Sequence, residues 1–346
     1  MKSGKIKYIN RIITISLALL VTIVSMSSCQ SLHSATAVDG ISKSGVFFDT
    51  YTTITLYGIN QDDADVILDK CMNLCAYYEK LLDANNNESD IFIINNSNNN
   101  PVHVSDETIY LVEKAIEYSN KTNGLFDITI YSASKLWDFH ENSNTIPDDA
   151  NLSDAVKHVN YENIVINNTA KTITVSDPAT QLDIGGIAKG YIADKITEYL
   201  KTTNISGAIV NLGGDMKLLG TKPDDSFYTI GVNDPDGNKP PICALNITDK
   251  AVATSGTYIR YIESNGVKYH HILNPETGYP INTDIVSATI ITDNAIDADT
   301  LCTICILMGS KNAIPYIEKL PETEAFLITS SGEQLTTSNA VKYIKR

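Results

Sequence analysis

The body of this 346-residue chain is predicted to adopt an α+β fold of irregular mixed, largely antiparallel sheets with packed helices, long enough to bury one large core or two lobes. Two amphipathic helical stretches come early, short β-rich runs bounded by Gly, Asn and Pro follow at uneven spacing, and an apolar helix comes late. The steady strand–helix alternation of a doubly wound sheet is missing, and no repeat of 20–50 residues is visible.

Each element has a local reason. Phe47 to Tyr57 alternates and is rich in Thr, Tyr and Ile, which predicts a strand. Gln61 to Leu82 places Val66, Ile67, Cys71, Leu74, Cys75, Tyr78 and Leu82 at helical spacing. Asn85 to Asn100 is Asn-rich and reads as loop, although Ile91 to Ile94 is too apolar to be wholly exposed. Ser105 to Thr122 is a second helix, with Ser105 as N-cap and Thr108 where a capping box would place an acid. Tyr161 to Val175 looks like a hairpin turning near Asn167-Asn168, and Ile187 to Lys201 is a helix. Strands are expected at 208–212, 228–232, 251–254, 258–263, 268–273, 287–292 and 325–329, and helices at 297–307 and 313–319.

The first 28 residues stand outside this fold. Lys2, Lys5, Lys7 and Arg11 form a basic start, Ile12 to Val24 is an apolar run, and Met26-Ser27-Ser28 sets small residues before Cys29. That is a secretory signal, and it resembles a lipobox whose cysteine, Cys29, is lipidated and becomes the new N-terminus. An uncleaved anchor or a plain cleavable signal are the other readings, and the apolar run is short for a transmembrane helix. Residues 29–44 are small and polar and read as a tether, leaving 45–346 as the folded domain. The formal charge of −15 becomes more negative without the basic leader. So acidic a body argues against nucleic-acid backbones and against a polybasic membrane patch, which leaves metals, small molecules and proteins as partners, with the membrane met only through the lipid. Cys71, Cys75, Cys243, Cys302 and Cys305 show no disulfide framework spacing. They read as small core residues, with a Cys302-x-x-Cys305 redox pair as the lesser alternative.

The most telling stretch is LDIGGIAKGYIAD, from Leu182 to Asp194. Asp183 offers an anionic acceptor, Gly185 and Gly186 bare backbone, and Lys189 a cation at the opening of a helix, where N–H groups already favour anions. Together they suit a phosphate-bearing nucleotide, though neither a Walker A loop nor G-x-G-x-x-G is present. An ordinary turn with packing glycines is the bland reading. Asn211-Leu212-Gly213-Gly214-Asp215 again ends a strand with two glycines and an acid. Thr254-Ser255-Gly256 puts two hydroxyls and bare backbone at a strand end. His270-His271 precede a Pro–Gly turn. Asp299 and Thr303, four apart on a helix, share one face and form an oxygen pair suited to Mg²⁺.

In this order, DIGGIAKGYIAD, VNLGGD, ATSG, YHHILNPETGYPI and DADTLCT resemble the ApbE-like flavin transferases (FAD:protein FMN transferases), over about Phe47 to Leu335. The resemblance implies two lobes around a flavin cleft and an extracytoplasmic enzyme that splits the diphosphate of FAD and joins FMN to a Thr or Ser of an acceptor protein. It implies Mg²⁺ held by Asp299, Thr303 and the carbonyl of Gly186. It also implies FAD contacts from Asp183, Lys189, Ser255, the Leu125-Phe126-Asp127 segment and the backbone of Ile272. His271 is the candidate base, since imidazole titrates near neutrality. Adjacent strand residues face opposite ways, so His270 or His271 is expected to be a packed histidine. Two departures stand out: Phe48-Asp49-Thr50 replaces the family's Met-Gly-Thr, and Asn85 takes the place of a tyrosine that could cover the nucleotide. An amide there would admit water, which makes FAD hydrolysis to FMN and AMP an alternative activity. A lipoprotein that binds FAD without turnover is a further alternative, disfavoured by a metal pair and a base that pure binding does not need.

Overall fold

In the computed structural model, residues 39–139, 145–237 and 239–345 are described. The leader and Cys29 lie outside them, as does most of the expected tether. Within the described residues an eight-stranded sheet forms the frame: β1 (Ile41–Phe47), β2 (Thr50–Tyr57), β3 (Gly207–Leu212), β4 (Asp215–Gly220), β5 (Ala251–Gly256), β6 (Ile285–Thr292), β7 (Glu324–Thr329) and β8 (Gln334–Thr336). Spatial order equals chain order, and every neighbouring pair is antiparallel. The sheet is therefore a meander whose connections have been expanded.

Four helices fill two of those connections: α1 (Gln61–Leu82), α2 (Asp106–Lys121) and α3 (Gly185–Leu200) between β2 and β3, and α4 (Ala295–Met308) between β6 and β7. Apolar side chains gather in one large core and two satellites, one under the hairpin of Tyr228–Val232 and Cys243–Ile247 and one around Trp137, Leu152 and Ile262. α4 is apolar on nearly every side and buried accordingly. The thiols of Cys71, Cys75 and Cys305 are buried with pKa values pushed up to about 12 by loss of solvent, which fits core residues and not redox chemistry. Among the described residues, no helix is long and apolar enough to cross a membrane.

Several sequence expectations need correction. The strand expected over 47–57 is two strands, because the chain reverses at Phe48-Asp49, both in left-handed conformation (φ 53° and 55°). Phe47 pairs with Thr50 across this two-residue turn, the geometry of a type I′ hairpin. Such a turn suits Gly, and Phe48 tolerates it here with its N–H bonded to Glu79 at 2.6 Å. β1 begins at Ile41, so the last residues of the supposed tether belong to the sheet. The Asn-rich loop holds a helix, Asp90–Asn95, that buries Ile91 and Ile94. The acid missing from the capping box of α2 comes from this helix: Asp90 Oδ2 accepts from the Ser105 N–H at 2.9 Å and the Thr108 hydroxyl at 2.7 Å. β4 and Cys243–Ile247 carried too little alternation to be seen. The strands expected at 258–263 and 268–273 shrink to Tyr261–Ser264 and Val267–His270.

The contact that sets the site is α3 against α4. Gly190 sits where they meet, and a Cβ there would lie 2.2 Å from the carbonyl oxygen of Ala295. One turn further on, Asp194 closes the N-terminus of α4, accepting from Ala295 N at 2.9 Å and Ile296 N at 3.0 Å. Alanine is the better helix former by about 1 kcal/mol, yet here the obstacle is backbone and cannot rotate away. Gly190→Ala is therefore expected to destabilise the fold by about 1–3 kcal/mol. Denaturant unfolding reads this as a lower midpoint; an unchanged or raised midpoint would mean the helices slide apart freely.

Candidate active site

A cavity of about 460 Å³ opens where these element ends converge, a size usual for ligand sites. Its wall combines the β1–β2 turn, the 125–130 loop, the start of α3, the β3–β4 turn, the end of β5, the 271–275 segment and the inner face of α4. Gly213 makes one such junction possible. It takes φ +66°, and a Cβ would fall 2.0 Å from Thr50 Oγ1, so only glycine lets the β3–β4 turn lie against the β1–β2 turn.

The electrostatic centre is Lys189. Its ammonium lies 3.2 Å from Asp215 Oδ2 and 3.3 Å from Asp299 Oδ1, and it donates to the Gly185 carbonyl at 3.1 Å. Asp299 also accepts from the Gly190 N–H at 3.0 Å. Burial works against the charge of Lys189, but the two carboxylates outweigh it and raise its pKa. Asp215 is raised by burial and by the charge of Asp299, with Lys189 opposing. Two buried carboxylates thus share one ammonium. A site with that surplus of negative charge fits a cation, and Asp299, Thr303 and Gly186, which line the same cavity, offer the hard oxygen donors a Mg²⁺ ion takes.

Asp183 stands at the foot of α3, where its Oδ1 accepts from Gly185 N at 2.8 Å. Burial raises its pKa, against that bond and the charge of Lys189. Asn95 fixes this segment by bonding both backbone groups of Leu182, at 2.7 and 2.9 Å. The two histidines divide as expected. His270 uses both nitrogens within the fold, Nε2 towards the Ile281 carbonyl at 3.2 Å and Nδ1 accepting from Ile272 N at 3.3 Å. His271 contacts the Arg260 carbonyl through Nδ1 at 3.1 Å. A carbonyl only accepts, so Nδ1 carries the hydrogen and Nε2 is the basic nitrogen. Burial lowers the His271 pKa to about 4, helped by the charge of Arg260.

Of the residues singled out from sequence, His271, Leu125, Phe126, Asp127, Asp183, Gly186, Lys189, Ser255, Ile272, Asp299 and Thr303 all line this cavity. The Asp127 carboxylate is committed to Thr129 and to Tyr161 N, so it shapes the loop. Ile272 has both backbone groups partnered, its carbonyl by Ile281 N at 3.0 Å. Asn85 is the exception. It is exposed, does not line the cavity, and bonds Asp83 and the Tyr131 hydroxyl. The ground for water entry at Asn85 falls with that placement. Asp215 and Arg260 were missed as site residues. The acid after Gly213-Gly214 was a visible signal for the first, and the scarcity of arginine for the second.

The sequence profile of the ApbE family matches residues 48–327. The chain belongs to the ApbE family. It is 30% identical over 276 residues to a Treponema pallidum protein named FAD:protein FMN transferase, covering 75% of this chain and 76% of that one. A Klebsiella pneumoniae protein of the same name is 29% identical over 299 residues, 86% of this chain and 92% of the relative. Among solved structures, the ApbE protein of Thermotoga maritima superposes with a TM-score of 0.83 at 27% identity, over 89% of this chain and all of that one. The flavin transferase ApbE of Vibrio cholerae, at 24% identity and TM-score 0.78, shares the fold.

A base must be unprotonated to work, and a depressed pKa keeps His271 neutral far into acid. If His271 is the base, the acid limb of kcat/KM, which reports the free enzyme, is expected near pH 4 to 5 and not at the ordinary imidazole value of about 6.5. A limb at 6.5 in a pH–rate profile would contradict the burial or the role.

Proposed function

We propose that this ApbE-family chain is a Mg²⁺-dependent FAD:protein FMN transferase, acting on a Thr or Ser of an acceptor protein outside the cytoplasm. The single observation that carries the reading is one cavity whose lining joins His271, its Nε2 without a hydrogen-bond partner among the described residues, to the Lys189–Asp215–Asp299 cluster and Thr303. The acceptor hydroxyl oxygen attacks the phosphorus on the FMN side of the diphosphate. The bond from that phosphorus to the bridging oxygen breaks, AMP departs, and the hydroxyl proton passes to Nε2 of His271. Mg²⁺, held by Asp299, Thr303 and the Gly186 carbonyl, would supply charge neutralisation on the phosphates. Asp183 accepts hydrogen bonds from the bound nucleotide, and Ser255, Leu125 and Phe126 line its bed. The signal before Cys29 supports export and lipid anchoring on the outer face of a membrane, where a Cys29→Ala chain would be released.

The test is incubation of the chain with FAD, Mg²⁺ and an FMN-acceptor domain, reading protein-bound flavin fluorescence in gels against free AMP and FMN. AMP and protein-bound FMN in equal amounts support the transferase. Free FMN with no bound flavin would make the protein a hydrolase, and bound FAD without AMP would make it a carrier.

Removing the metal should separate binding from chemistry. Asp299→Ala, or excess chelator, is expected to lower turnover by at least 10²-fold, roughly what one lost charge-stabilising contact costs. FAD binding should weaken far less, because Asp183 and the apolar bed remain. Parallel measurement of FAD affinity and AMP release checks it; equal losses would make Asp299 structural, and full activity in chelator would remove the metal.

A further inference from the structure

Two cations line the cavity, Lys189 and Arg260, and they differ in what already holds them. Lys189 has three donors and three acceptors close by, Asp215, Asp299 and the Gly185 carbonyl, so it is saturated. Arg260 begins the hairpin of Tyr261–Ser264 and Val267–His270, with its side chain exposed at the cavity wall. No carboxylate stands within ion-pairing distance of it among the described residues. Of the chain's three arginines, Arg11, Arg260 and Arg346, only Arg260 falls among those residues. In so acidic a protein, an exposed guanidinium on a cavity lining, with no ion-pair partner among the described residues, has a ligand's charge as its natural partner. Its field already reaches both Asp183 and His271, and its carbonyl holds His271 through Nδ1 and through the backbone N–H, each at 3.1 Å.

We infer that Arg260 is the anion-binding residue of this cavity, its guanidinium gripping phosphate oxygens of the FAD diphosphate in a two-bond fork beside His271. The inference rests on the proposal that FAD is the substrate. Lys189 is spent on the two carboxylates, which leaves Arg260 as the side chain beside the proposed Mg²⁺ that can hold the diphosphate, and a planar fork matches phosphate oxygens where an ammonium would meet them as a point charge. Through its backbone the same residue sets the tautomer of the base. Any side-chain substitution leaves that carbonyl in place, so the two duties separate by mutation.

The experiment is equilibrium binding of FAD and of riboflavin, which lacks both phosphates, to the full wild-type chain, Arg260→Met and Arg260→Lys, with and without Mg²⁺. Inorganic pyrophosphate serves as a competitor, and thermal unfolding verifies that the variants are folded. Loss of a charge-assisted contact should weaken FAD by about 10- to 100-fold in Arg260→Met, with partial recovery in Arg260→Lys. Riboflavin affinity should be unchanged, and pyrophosphate should compete with FAD more weakly in Arg260→Met than in the wild type. The acid limb assigned to His271 should move upward in Arg260→Met, because the guanidinium charge that helps depress it is gone, and stay low in Arg260→Lys. FAD binding as tight in Arg260→Met as in the wild type overturns the inference, and so does an equal loss of FAD and riboflavin. A wild-type chain that does not bind FAD overturns the substrate reading first, so the two failures are distinct.

Discussion

Backbone contact between α3 and α4 is the constraint on which the site depends. At Gly190 the helices meet with no side chain between them. Only at that separation do the Gly190 N–H and the Lys189 ammonium both reach Asp299 on the facing helix. Asp194 then returns the favour from α3 by capping α4. Packing and electrostatics are therefore one arrangement. A buried carboxylate is costly unless paired and hydrogen-bonded, and the pairing exists because glycine permits the approach.

The meander supplies the second half of the frame. Successive strands place the turns at 48–49 and 213–214 side by side, and the close fit of Gly213 to Thr50 locks them together. Phe48 and Asp49 hold a left-handed conformation that costs L-residues roughly 1–2 kcal/mol each. The structure over-determines them through Glu79 and the strand pairing on either side. Strain of this kind at a cavity wall is where a fixed geometry matters more than local preference.

Much of this was legible in the chain. The bounds of α1 coincide with the periodic run from Gln61 to Leu82, because one face alone is buried and Asn60 caps its start. The apolar late helix and the glycine-flanked acids and histidines marked the site well enough that eleven of twelve expected residues, Leu125 to Thr303, line one cavity. What stayed hidden is long-range. The Lys189–Asp299 pair spans 110 positions, and no local pattern announces that Asp215 will share the same ammonium. Asn85 was misplaced for the opposite reason: a composition-biased loop gave an alignment but no geometry, and its amide turned to Asp83 and Tyr131. The turn inside 47–57 was masked because Phe and Asp are poor advertisements for positive φ.

Charge accounting ties these pieces together. Around Lys189 two carboxylates face one ammonium, and the pKa of Asp215 is raised by burial first and by the charge of Asp299 second. A proton and a metal cation are alternative answers to the same imbalance. An incoming diphosphate would worsen it unless cation and substrate enter together, which is the physical reason a metal and a phosphoanhydride belong at one place. Elsewhere on the cavity lining the situation is reversed. Arg260 makes no ion pair with a carboxylate among the described residues, and burial first and that same guanidinium second hold the His271 pKa low. An anion in the cavity would be drawn by Arg260 and by the Mg²⁺ proposed for Asp299 and Thr303 at once. A chain of formal net charge −15 disfavours phosphates in general, so a phosphate site on it requires a local cation of this kind.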